Sequence, residues 1–227
     1  MTDVVRTVRH RFESLTWVQR AFIGAAVLLL AYVRWSTPTL SARIVRDLVL
    51  LVAGPLALGL LHGRRVGWTV NRTALRDTVL LALFVLPFYV VGSSLPSIRT
   101  FYPLWETTLA PGDFVPHAIK LFALALATET YFRGLLCVGV RDIGPKAVFV
   151  SPVVYALLHS GKPPIELALS GPTDVLFGAV DYNSGSILPS VVAHGCGLVL
   201  LDWLVLRPPV FPPDAVLRWL SWVPLPL

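Results

Sequence analysis

Glu129 and Arg133 are the only charged residues in the apolar run 121–140, LFALALATETYFRGLLCVGV. A run of about 20 mainly apolar residues is long enough to cross a bilayer. Residues four apart lie about 40° from one another around a helix, so these two can pair on one face. Thr128, Glu129 and Thr130 set polar groups near the middle of the run. An ionisable group at that depth costs roughly 2.5 kcal/mol or more, so it faces a protein interior or a water-filled cavity and marks a functional site by default. His159 closes the next apolar segment and His194 lies within the last one. Polar groups in a membrane need partners that lipid cannot provide, and two histidines and a glutamate on three apolar segments can provide them for one another.

Three roles are open to that set. Two histidines and a carboxylate satisfy a catalytic zinc, although no His-Glu-x-x-His helix is present and the ligands would have to converge from separate segments. General base catalysis is the second, with Glu129 activating water and the imidazoles assisting. The third is structural, an ion pair between Glu129 and Arg133 that locks two helices together. Cys137 and Cys196 both sit in apolar segments with nothing nearby to stabilise a thiolate, so they read as packing residues and not as nucleophiles, a disulfide or a zinc site.

The elements that must position these residues are membrane spans. The chain has 227 residues, 55% of them hydrophobic and 14% charged, with a mean hydropathy of +0.71, against about 25% charged in soluble domains. We expect one integral membrane domain over 1–227, an all-α bundle of about seven transmembrane helices. The net charge of +6 comes mostly from arginines between apolar segments. That placement reads as membrane topology and contact with lipid headgroups, and excludes nucleic acid as a partner.

Residues 1–20 alternate arginines with Val4, Val5, Val8, Phe12 and Leu15, as a basic amphipathic segment on the membrane surface does. Spans are expected at about 18–34, with Trp17 and Trp35 at its two interfaces, at 47–61 with Pro55 inside, and at 77–95. An interfacial connector, 96–114, precedes the central span at about 115–140. An apolar segment at 145–160 follows, then one that Pro163 and Pro164 open, that carries Glu166 and that closes near Val180, a turn at DYNSGS (181–186), a last span at 187–206 and a proline-rich tail resting on the surface. No long-period repeat of the kind that marks many transporters is visible. The arginine and lysine bias favours a cytoplasmic N-terminus, with the 62–76 and 141–146 loops on the same side.

Three stretches resemble a known family. TETYFRG (128–134), YALLH (155–159) and SGSILPSVVAH (184–194) are similar, in order, spacing and apolar setting, to the three motifs of the CPBP family. These are the CAAX protease and bacteriocin-processing enzymes, which include type II CAAX prenyl endopeptidases, the intramembrane glutamic proteases. The resemblance covers 115–205. It implies a hydrolase that cuts a peptide bond near the C-terminus of a membrane-associated protein or peptide, whether lipidated or bearing a C-terminal sorting signal. The implied setting is a bacterial plasma membrane with lipid as the other partner, and no cofactor, with zinc as the alternative. Two positions depart from the family's pattern. Thr128 stands where the first of two glutamates is usual, and Leu198 where asparagine often follows the last histidine by four. HSGKPPIE (159–166) and Asp202 look like a branch of the family that carries a single glutamate. The roles implied are Glu129 as general base, His159 sharing its water, and His194 donating to the oxyanion. Arg133 pairs with Glu129, and Glu166 and Asp202 either orient the histidines or are solvated at the membrane interface. A catalytically inactive relative acting as an immunity factor or scaffold is the alternative that Thr128 and Leu198 suggest.

Overall fold

Polar residues at segment boundaries decide where the helices begin. Thr16 opens α1 (Trp17–Arg34) with a capping box, its hydroxyl accepting from the Gln19 N–H while the Gln19 side chain accepts from the Thr16 N–H. Thr39 and Asn71 cap α2 (Leu40–Leu61) and α3 (Arg72–Gly92) by accepting from the N–H groups of Ala42 and Ala74. Within α2 the turns over Leu48–Ala53 widen to π-type. They precede Pro55, which has no N–H to return to the ladder and whose ring crowds the preceding turn. Then come α4 (Pro96–Phe101), α5 (Pro111–Leu135), α6 (Val138–Phe149), α7 (Pro152–Leu158), α8 (Pro164–Ser184), α9 (Leu188–Val205) and α10 (Pro213–Trp219). This computed structural model describes residues 14–225, so most of the amphipathic segment expected over 1–20 lies outside the described residues.

The described chain is an all-α polytopic bundle. Four helices, α1, α2, α3 and α9, are long and apolar enough to cross a membrane, and α5 with α6 makes a fifth if that pair, bent by 76°, is one span. The expected count of about seven is therefore lower by two or three. The 145–160 segment contains only the seven-residue α7, about 10 Å long at 1.5 Å per residue. The 164–180 segment becomes the 21-residue α8, which carries Glu166, Asp174 and Asp181 and falls short of a span in apolar character. The central span does not run straight through 140. It ends at Leu135 in π-type turns, and the chain bends into the 3₁₀ turns of α6. DYNSGS is not a loop turn either, since α8 continues to Ser184 and stops at Gly185, whose φ of 68° is left-handed. Trp17 is buried, its indole N–H donating to the Gly139 carbonyl at 2.7 Å, so it ties α1 to α6 and is no interfacial anchor.

Large apolar side chains coat the outside. Val27, Leu30 and Val33 on α1 and Leu83, Phe84 and Phe88 on α3 are each more than half exposed, a surface suited to lipid. Inside, α9 packs chiefly between α3 and α5, and α8 packs on α6 and α7. Small residues let these helices approach closely. A Cβ on Gly197 would stand 2.2 Å from the Tyr89 ring of α3. Gly197→Val is therefore expected to overpack this contact and cost about 1–3 kcal/mol, read as a lower unfolding temperature in detergent. A variant as stable as the parent would show that α3 and α9 do not meet there.

Candidate active site

Glu129 sits at the point where α5 loosens into π-type turns, a distortion frequent at functional sites. The local reason is packing of small on large. A Cβ on Gly134 would lie 2.8 Å from the Val66 carbonyl, so only glycine lets the 62–71 loop cross beneath the helix. Tyr131 and Phe132 fill the neighbouring core, and the Tyr131 hydroxyl donates to the Ala25 carbonyl at 2.7 Å.

Glu129 and Arg133 pair as expected from their spacing, with Nε 3.0 Å from Oε2 and both side chains fully buried. Arg133 also reaches a residue that sequence reasoning missed. Its Nη1 lies 3.1 Å from Oδ1 of Asp174 on α8, whose other oxygen accepts from the Ser151 hydroxyl at 2.6 Å. The guanidinium contacts are ionic rather than linear hydrogen bonds. Its planar cation also stands 4.4 Å from the centre of the Tyr155 ring and 5.6 Å from that of Phe177. One buried cation thus joins two carboxylates and ties α5 to α7 and α8. The signal for Asp174 was in the sequence, because the rule that singled out Glu129 applies equally to a carboxylate in the 164–180 segment.

The other oxygen of Glu129 faces His194, whose Nδ1 is 2.6 Å from Oε1. Nδ1–H donates to the carboxylate, and Nε2 is left for whatever the cavity holds. His159 is set differently. Its Nδ1 is 2.9 Å from the Tyr155 carbonyl one turn back. A carbonyl only accepts, so this Nδ1 carries the proton and Nε2 of the neutral ring keeps its lone pair. The Tyr155 ring packs against the His159 ring with centres 4.5 Å apart.

Both histidines line one cavity of about 380 Å³, whose walls are Leu51, Leu121, Leu124, Phe132, Leu158 and Leu198 and whose polar lining includes Thr128, Tyr102 and Asp202. Volume and lining fall in the range of ligand-binding sites, mostly apolar with a few polar groups. Glu129 does not line it. Thr128, its neighbour, does, with its hydroxyl bonded back to the Leu124 carbonyl of its own helix. A general base needs a lone pair within reach of water. Glu129 Oε1 is taken by His194 and Oε2 faces Arg133, so neither oxygen is presented to the cavity. The same engagement fits poorly with zinc ligation by His159, His194 and Glu129. Among the described residues no three His, Cys, Asp or Glu side chains are grouped to hold a metal.

Glu166 and Asp202 do not orient these histidines as expected. Glu166 accepts from the Tyr102 hydroxyl at 2.8 Å and pairs with Lys162. Burial and the Glu166 carboxylate push the Tyr102 phenol above its usual range, which keeps it a donor. Asp202 accepts from Nε2 of His117 at 2.7 Å, and both are buried. Position in a helix explains the difference. Asp202 is eight residues past His194, about 12 Å further along α9, which puts it opposite the first turns of α5 and not opposite Glu129. Asp181, fully buried, accepts from the Ser190 N–H at 3.2 Å and from its hydroxyl, tying the end of α8 to the start of α9. Cys137 is buried with its thiol directed to the Gly178 carbonyl, and burial suits it to packing.

Compared with known protein families, residues 111–198 match the family described as type II CAAX prenyl endopeptidase, Rce1-like. No curated protein and no solved structure matches the chain. The matched residues begin with α5, end four residues after His194, and leave out Asp202. With Glu129, Arg133, His159 and His194 all inside that stretch, this integral membrane protein carries an Rce1-like domain of the CAAX-protease, or CPBP, family.

Proposed function

We propose that the chain is an intramembrane endopeptidase that hydrolyses a peptide bond near the C-terminus of a membrane-associated protein or peptide. The observation that carries this reading is the pair of imidazoles on one cavity wall, each with Nδ1 engaged by the protein and Nε2 left over. Water bound at His159 Nε2 gives up a proton to that lone pair as its oxygen attacks the scissile carbonyl. His194, protonated beside the Glu129 carboxylate, donates from Nε2 to the developing oxyanion. Glu129 holds the ring in place and stabilises its charge, the part a buried carboxylate plays beside a catalytic histidine in serine proteases. When the tetrahedral intermediate collapses, His159 returns its proton to the leaving amine. Acid, base and oxyanion donor are then all supplied by side chains, and no metal is required.

The setting we propose is a bacterial plasma membrane with the N-terminus in the cytoplasm. Two measurements test the chemistry. C-terminal peptides of membrane proteins are compared between cells carrying the wild-type chain and cells carrying His159→Ala. A fragment released only by the wild type is expected, and its absence sinks the peptidase reading. Release of that fragment in isolated membranes is also expected to survive a membrane-permeant chelator. Release that stops on chelation and returns only with zinc would replace this mechanism with a metal-dependent one.

A further inference from the structure

The two ends of the bundle are stitched separately, and the cavity opens at only one of them. At one end the 62–71 loop, the start of α6 and the α8–α9 turn are bound together. The Ile187 N–H donates to the Gly67 carbonyl at 2.9 Å, Asn71 donates to the Ser184 carbonyl at 2.9 Å, and Arg64 pairs with Asp142 at 2.9 Å. The start of α1 joins this end through Trp17 and Gly139. At the other end Arg99 donates to the Val205 carbonyl at 2.8 Å, His117 meets Asp202, and Arg43 stands over the Trp105 ring at 5.2 Å.

Every residue lining the cavity belongs to the second end or to the middle of the bundle. Of the lining residues at the second end, Thr37, Arg43, Trp105 and Lys162 are part-exposed and form its mouth. Among the described residues none from 62–71, from α6 or from the α8–α9 turn lines it. At the first end the 62–71 loop carries Arg64 and Arg65 and α6 carries Arg141 and Lys146, and the sequence sets Arg6, Arg9 and Arg11 ahead of α1. The connecting segments at the mouth end carry Arg99, committed to backbone carbonyls, Lys162, paired with Glu166, and Arg207, with Arg34, Arg43 and Arg46 in the adjoining helix ends. Short loops rich in arginine and lysine stay in the cytoplasm.

We infer that the cavity opens on the extracytoplasmic face, so its substrate is a polypeptide segment already translocated across the membrane and not a cytosolic C-terminus. The inference rests on the peptidase reading for the word substrate, while the direction of the opening stands without it. It also selects among the substrate classes that the motifs leave open. A lipidated cytosolic tail would meet the basic, closed end of the bundle, whereas an exported segment anchored in the bilayer meets the mouth.

The experiment uses the full chain in intact cells, in a Cys196→Ser background, with single cysteines at Glu106 beside the mouth and at Arg65 on the basic end, both exposed. A bulky membrane-impermeant maleimide is added from outside. Glu106→Cys is expected to label without permeabilisation and Arg65→Cys only after it. The reverse pattern overturns the inference. Release of the C-terminal fragment is followed in the same cells. External labelling of Glu106→Cys is expected to block release, and labelling of Arg65→Cys after permeabilisation to leave it within about twofold. Block from the Arg65 side alone also overturns the inference. Correct labelling with no fragment from any variant leaves the opening direction supported and removes the peptidase reading instead.

Discussion

Arg133→Met is expected to be among the most destabilising single substitutions in the protein. Among the described residues Arg133 is the only cation reaching both Glu129 and Asp174, and its removal leaves Asp174 without a counter-charge and Glu129 with His194 alone. Breaking a buried ion pair typically costs about 3–5 kcal/mol, and here one substitution breaks two. Low abundance in membranes and a collapsed unfolding temperature in detergent are the readouts. Adding Glu129→Gln and Asp174→Asn to Arg133→Met removes both stranded charges and is expected to recover most of the fold. A folded, abundant Arg133→Met single mutant would mean that the site is solvated and that this network does not hold α5, α7 and α8 together.

His159→Ala and Glu129→Gln are expected to give the opposite outcome, folded proteins that do not cut. His159 is part-exposed to the cavity and bonded to the protein through one backbone carbonyl, so its loss removes little packing. Loss of a general base usually lowers the rate by about 10²–10⁴-fold. Glu129→Gln leaves Arg133 balanced by Asp174 and keeps an oxygen to accept from His194 Nδ1–H, but it cannot stabilise an imidazolium. The measurement is fragment release beside unfolding temperature for each variant. If Glu129→Gln cuts at near the wild-type rate, His194 does not work as a cation held by Glu129. If Glu129→Gln instead unfolds as Arg133→Met does, Asp174 does not balance the arginine, and the role of Glu129 is structural.

Much of this was readable in the chain. The lengths of the apolar runs determine that it is a helical membrane bundle, because backbone groups in hydrocarbon must pair within helices. The spacing of Glu129 and Arg133 determines that they share a face, and Thr16, Thr39 and Asn71 determine where three helices start. The order of the three motifs pointed to the domain that residues 111–198 carry. What composition could not supply is the rotation of each helix. In a soluble helix a polar stripe marks the outer face, but here lipid and protein interior are both apolar, and a run such as 121–140 shows no stripe. Adjacent residues are 100° apart around a helix, so only packing decided that Thr128 lines the cavity while Glu129 lies behind it. Packing likewise decided that Asp202 serves His117, that Asp174 completes the arginine's pairing, and that α5 bends away at Leu135. The two pairings join residues far apart in sequence, and close approaches such as Gly134 to the Val66 carbonyl and Gly197 to the Tyr89 ring show how tightly the segments that set these rotations pack.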